Sequence, residues 1–299
     1  MKNTIVILLI LLLCSSCGST KRAAKKTSTN TTTNVIINEK TPIITETKIK
    51  PTTPNPAPVT KPTTTETVDQ TPTKILSVKE KISSKEVFNH NAWNTLLQQY
   101  VTNKGNVNYK GFKSNRKAIT DYIQSLGEKM PNNTWSKDEK IAYWINAYNA
   151  MTVDLIIRNY PLNSIKDIKD PWKQRLWKLG SRWYNLDEIE HQILRKMNEP
   201  RIHFGIVCAS FSCPKLINKA FTSTNLENQL TNATKDFLKD PERNDISSNS
   251  IKLSKIFKWF TKDFKTEGSL IDFLNKYSDI IISKNAKKSF KDYNWSLNN

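Results

Sequence analysis

Two cysteines five residues apart, Cys208 and Cys213, share the stretch IHFGIVCASFSCPKL with His203. A cysteine becomes a nucleophile as its thiolate, and it needs a base within hydrogen-bond reach and a third group that orients the base. The chain has three histidines, His90, His191 and His203. His203 lies five residues before Cys208, on the opposite face if the segment is a strand and off-face if it is a helix. His90 belongs to the first, more exposed helix. His191, in IEHQILR, sits in a helix that directly precedes the cysteine stretch and can fold back onto it, so it is the candidate base. Asn149, in YWINAYNA, is the candidate orienting group, because an amide among aromatic residues needs its hydrogen bonds met. The alternative for Asn149 is to tie its helix to a loop backbone. Cys208, His191 and Asn149 together imply acyl transfer or amide hydrolysis, in residue types that resemble papain-like or transglutaminase-like chemistry. Their order along the chain, Asn, His, Cys, differs from the Cys, His, Asn order of papain-like enzymes.

Other readings of the same residues stay open. A Cys208–Cys213 disulfide requires Cα atoms within about 7 Å, which a tight turn through Ala209–Ser212 achieves and a continuous strand does not. A zinc site is disfavoured, since C-x4-C with one histidine five residues upstream matches no common ligand spacing; neither metal nor cofactor is expected. A non-catalytic pocket is the third reading. Trp144 and Tyr148 would form its walls, and Asn146, Arg195, His191, His203 and Ser212 would supply polar contacts to a peptide or glycan.

The elements that must position these residues follow from periodicity and caps. Val87, Trp93, Leu96, Leu97 and Tyr100 predict a helix over 83–101, and Ile119, Tyr122, Ile123 and Leu126 another over 116–126. Residues 103–112 read as a turn and a short extended piece. Ser136 with Glu139 forms a capping box that opens the clearest helix, which Pro161 stops. LWKLGSRWYNL reads as a hairpin turning at Gly180-Ser181. Asp187 is expected to cap the helix carrying His191, to about Met197. Thr224 with Glu227 predicts a capped helix through Phe237. ISSNSIKLS reads as extended, Ser254 opens a short aromatic-rich helix, and 270–277 closes the fold. The expected class is α+β, helix-rich, a single domain with a small sheet or hairpins.

The ordered motifs YWINAYNA, IEHQILR, RIHFGIVCASFSCPKL and LSKIFKWFTKDF resemble the domain-of-unknown-function 547 family, over about residues 92–277. The resemblance marks Trp144, Asn146, Tyr148, Asn149, Glu190, His191, Arg195, His203, Cys208, Ser212 and Pro214. It implies no established activity. Family members occur behind lipoprotein signals in bacteria and in larger eukaryotic proteins. Related intracellular domains carry serine at the position of Cys213, which shifts weight toward Cys208 acting alone.

The N-terminus bears on compartment. Lys2 and the apolar run 5–13 have signal-peptide length, too short to span a bilayer as a helix. Ser15, Ser16, Cys17 and Gly18 then resemble a bacterial lipoprotein signal, with Cys17 lipidated. The expected organisation is a signal peptide at 1–17, a disordered Thr/Pro/Lys-rich linker at 18–82 and a globular domain at 83–299. Some 60 flexible residues would reach roughly 40 Å. The expected location is the cell envelope, lipid-anchored to the outer membrane and facing the periplasm. All eight tryptophans lie after residue 90. The net charge is +19, yet an export signal and scattered lysines argue against nucleic acid as a partner. The expected partners are the membrane, through the lipid, and an envelope peptide or glycan.

Overall fold

The structure, a computed structural model, describes residues 88–299. The signal peptide, lipidation at Cys17, the linker at 18–82 and the start of the first predicted helix lie outside the described residues.

At the centre is α4 (Lys137–Asn159), preceded by α1 (Asn91–Tyr100), α2 (Tyr109–Ser114) and α3 (Arg116–Glu128). Both arms of the Ser136/Glu139 capping box form, and Asp138 and Glu139 place negative charge at the positive helix end. From Ile141 to Ile157 every residue of α4 is buried. A helix apolar nearly all round belongs in the middle of a domain. Its one buried carboxylate in the second half, Asp154, accepts from Arg116 Nε, Arg158 Nε and Trp177 Nε1 at 3.1, 2.7 and 2.8 Å. Trp93 stacks between Phe112 and Tyr122, fastening α1 to α2 and α3. His90 is a core residue: it is buried, its Nδ1 lies 2.7 Å from the Tyr122 hydroxyl, and burial lowers its pKa to about 4.

The hairpin forms as β1 (Trp177–Leu179) and β2 (Arg182–Tyr184), antiparallel, with Trp177 opposite Tyr184. Gly180 takes φ +56° at the turn, where a Cβ would be strained. The segment after it, α5, is not a uniform helix. It runs as an α turn (Leu186–Glu188), a π turn (Ile189–Ile193) and a 3-10 turn (Leu194–Met197). Then come α6 (Ile202–Gly205), α7 (Leu226–Lys239), β3 (Asp245–Ile246), β4 (Ser250–Leu253), α8 (Ile256–Trp259), α9 (Leu270–Tyr277) and β5 (Lys287–Phe290). β4 is the middle strand of a three-stranded sheet, antiparallel to β3 and parallel to β5. Phe204, Phe237, Phe257, Phe264 and Phe273 pack together as a second core. The described residues therefore form a helix-rich α+β domain with two small sheets.

Three local expectations are corrected, and one open alternative is decided. Residues 109–114 are helical, because Asn108 accepts from Gly111 N and caps a turn there; only the Val101–Val107 bridge is extended. The cap of α5 is Asn185, whose side chain accepts from Glu188 N; Asp187 lies inside the first turn. No side chain caps α7, and Glu227 is drawn off by Arg201, whose Nη1 and Nη2 donate to it at 2.6 and 2.8 Å. The run before Cys208, open to strand or helix from its sequence, is a short buried helix over Ile202–Gly205 that becomes extended at Ile206.

Candidate functional site

Cys208 sits in a loop shaped by its neighbours. Ala209 has φ +59°, a left-handed conformation that is costly for a residue with a Cβ and concentrates at functional sites. The chain turns back at once, with Cys213 N donating to Ser210 O at 3.0 Å. Asn149 fixes the approach: its Nδ2 donates to Gly205 O at 2.9 Å and its Oδ1 accepts from Val207 N at 3.0 Å. The C-terminal residues clamp the other side, through Phe211 N to Ser296 O, Ser212 N to Asn294 O and Asn298 N to Ala209 O.

This loop holds a cluster of donors around one sulfur. Cys208 Sγ lies 2.8 Å from Cys213 Sγ, 3.1 Å from Ser210 Oγ and 3.3 Å from Tyr293 Oη. Both cysteines are free thiols. The Cys208 backbone N–H also points at Cys213 Sγ, at 2.9 Å. The hydrogen bond from the Cys213 thiol is the largest influence on Cys208 and, with those from Ser210 and Tyr293, outweighs burial and lowers its pKa to about 7. Burial pushes the Cys213 thiol well up. One sulfur is thus prepared as a thiolate and the other held as a thiol.

Cys208 is partly exposed, on the wall of a cavity of about 660 Å³. Trp172, Trp259, Phe260, Tyr293 and Trp295 supply aromatic walls; Lys166, Lys169, Lys173, Asp187, Glu190 and His191 line it with charged and titratable groups. Trp259 stays 46% exposed at the mouth. Within the cavity the Tyr148 hydroxyl donates to Glu190 Oε2 at 3.2 Å. Burial raises the Glu190 pKa to about 7 despite that bond. The π turn of α5 carries Glu190 and His191, and such widened turns recur at functional sites.

The expected triad does not assemble as a hydrogen-bonded unit. His191 lines the same cavity as Cys208, but its Nδ1 accepts from Arg195 Nη1 at 2.8 Å and its Nε2 lies 3.6 Å from Asp187 Oδ1. No hydrogen bond joins it to the Cys208 sulfur, whose partners are Ser210, Cys213 and Tyr293. Burial lowers its pKa. Asn149 orients no imidazole, since both ends of its amide are taken by the Gly205 and Val207 backbone. Asn146 does the same for Phe221, donating to its carbonyl at 2.8 Å and accepting from its N–H at 3.0 Å.

Of the pocket residues expected from sequence, Tyr148 and His203 line the cavity, whereas Trp144, Asn146, Arg195 and Ser212 do not. Trp144 is buried against Tyr143 and Tyr184. Arg195 grips Asp263 with Nε and Nη2 at 2.6 and 2.8 Å, and His203 Nε2 donates to the same carboxylate at 2.8 Å. Burial alone would raise the Asp263 pKa, but these two partners hold it well below the usual carboxylate range. Ser212 Oγ accepts from Asn294 N at 2.9 Å, a clamp on the tail. Among the described residues no three His, Cys, Asp or Glu side chains converge as metal ligands would.

The residues that sequence reasoning did not assign to the site are Tyr293, Ser210, Asp263 and the Trp172, Trp259 and Trp295 walls. Glu190 stood among the motif positions but without a role. The tail DYNWSLNN shows no periodicity that would reveal where it returns, so nothing in the sequence marks Tyr293.

Neither the curated proteins nor the solved structures contain a match to this chain. Residues 132–238, from the approach to α4 to nearly the end of α7, match the family described as Protein of unknown function, DUF547. That span holds Tyr148, Asn149, Glu190, His191, His203, Cys208 and Cys213, while Tyr293 and the tail lie beyond it. Through this segment the chain is similar to the DUF547 family.

Proposed function

We propose that Cys208 is the nucleophile of a thiol-dependent enzyme that transfers an acyl group or hydrolyses an amide. The observation that carries this reading is a sulfur on a cavity wall with three hydrogen-bonding side chains converging on it, Cys213, Ser210 and Tyr293. A thiolate so held attacks the carbonyl carbon, and the amine or alcohol leaves with a proton. Glu190, with a pKa near 7 and on the same cavity, is the group suited to give that proton and later to take one from water. This role replaces the His191 base of the sequence-derived triad. His203, stacked on Phe260 and bonded to Asp263, stiffens the wall.

The test is reaction of the full-length reduced chain with a nitrophenyl ester. Expected are a burst of nitrophenol, an acyl group on Cys208, its loss in Cys208→Ala and slower deacylation in Glu190→Gln. Acylation of Cys208 no faster than that of a free thiol would falsify the reading. That outcome would favour the second reading, a non-catalytic pocket for a peptide or glycan, for which the aromatic walls at Trp172, Trp259 and Trp295 speak.

The signal-like N-terminus supports export, lipid attachment at Cys17 and a periplasm-facing site at the outer membrane. Labelling with an alkyne fatty acid in the bacterial host, lost in Cys17→Ser, is the expected outcome; label retained in that variant refutes attachment at Cys17.

A further inference from the structure

The mechanism above uses one sulfur, yet the loop builds a second one against it. Cys213 is 5% exposed and lines the same cavity, with its Sγ 2.8 Å from the reactive sulfur. A disulfide bond is about 2.05 Å long, so the two sulfurs need approach by only about 0.8 Å. The backbone that brings them together is fixed on both sides. Ala209 is in the left-handed region, the Ser210–Cys213 turn is closed by its own hydrogen bond, and the tail clamps Phe211 and Ser212. A lone thiol nucleophile requires none of this. The sulfurs are also unequal: Cys208 is the more exposed and is surrounded by donors, whereas Cys213 is buried.

We propose that Cys208 and Cys213 form a working dithiol that reduces disulfides entering the cavity, Cys208 attacking and Cys213 resolving. The substrate class is a disulfide on a peptide or a small thiol compound, admitted between the Trp172, Trp259 and Trp295 walls. The Cys208 thiolate attacks one sulfur of the substrate, forming a mixed disulfide and expelling the other half as a thiolate. Cys213 then attacks Cys208 Sγ, its proton leaving with the second departing thiolate. The protein ends as the Cys208–Cys213 disulfide and the substrate as two thiols, so two electrons and two hydrogens pass from protein to substrate. The inference rests on Cys208 being the reactive thiol, as the acyl-transfer reading does, but adds a role for Cys213 that acyl transfer lacks.

Dipyridyl disulfide is the probe, on the full-length reduced chain. Trypsin releases both cysteines in one peptide, residues 202–215, apart from Cys14 and Cys17. In the wild type this peptide is expected to be two hydrogens lighter than its reduced form, with no pyridyl group attached. In Cys213→Ser the pyridyl group should remain on Cys208. In Cys208→Ser, modification of Cys213 should slow by about tenfold or more, because a buried thiol with a raised pKa offers little thiolate. A pyridyl group that stays on Cys208 in the wild type overturns the dithiol and leaves the acyl-transfer reading intact. No reaction at Cys208, together with no acylation by the nitrophenyl ester, defeats both. If Cys213→Ser does not fold, the wild-type peptide mass decides alone.

Discussion

Tyr293 comes from the last seven residues of the chain, yet its hydroxyl lies 3.3 Å from Cys208 Sγ. A hydrogen bond to a charged acceptor is worth about 1.5–3 kcal/mol, and one pKa unit is about 1.36 kcal/mol. Tyr293→Phe should therefore raise the midpoint of Cys208 alkylation by about one pH unit from its expected value near 7, read from iodoacetamide rates across pH. An unchanged midpoint would remove Tyr293 from the site. Glu190 makes a second prediction. Burial raises its folded pKa to about 7, above the ordinary carboxylate value of 4.5. The folded state holds the proton more tightly, so its contribution is fully present below the unfolded pKa and is lost as pH rises through about 7. Wild-type stability should fall between pH 5 and pH 8 by an amount on the order of 3 kcal/mol more than that of Glu190→Gln. Urea unfolding at both pH values checks this. Equal falls in the two proteins would mean that Glu190 is ionised at neutral pH.

At the level of elements, α4 is the frame from which the site hangs. Its aromatic and aliphatic residues fill the core, and two of its asparagines, Asn146 and Asn149, reach out to loop backbones instead of to ligands. Asn149→Ala would leave the Gly205 carbonyl and the Val207 N–H buried without partners, at a cost of about 2–4 kcal/mol. Loss of Cys208 reactivity should accompany the fall in stability, and the thermal midpoint and alkylation rate should move together. Reactivity lost at full stability would instead return Asn149 to the chemistry. Much of this level was legible in the sequence. The Ser136/Glu139 box, the apolar period of α3 and the Gly180-Ser181 turn depend on residues within a few positions of one another, and all three form as expected. The uneven winding of α5 was not legible, because its turn around Glu190 answers to Tyr148, 42 residues away, and not to local propensity. Neither was α6, where the apolar residues Ile202, Phe204, Ile206 and Val207 suit a strand and a buried helical turn equally well.

Taken as a whole, the described domain is closed by its own tail. Leu297 N donates to Asn163 O and Val107 N to Asn298 O, Tyr109 Oη donates to Asn298 Oδ1, and Trp295 packs against Trp172 and Trp259. Removing residues 291–299 takes away Tyr293, one cavity wall and the clamps on the cysteine loop. The shortened chain should remain helical by circular dichroism while Cys208 alkylation at pH 7 slows by about the tenfold of one pKa unit or more. Alkylation at the wild-type rate would show that the loop keeps its shape without the tail.

The sequence by itself determined the class of the domain, its central helix, its hairpin and the importance of the Cys208 stretch, since caps, periods and the small inventory of cysteines and histidines act locally or are simply counted. Only the tertiary structure decided which groups meet: that Asn149 holds backbone instead of an imidazole, that His191 turns to Arg195, and that Cys213, Ser210 and Tyr293 surround the sulfur. Those pairings span up to 85 residues of chain. They are set by the competition of each polar group for the best partner in the packed molecule, which no spacing along the sequence encodes.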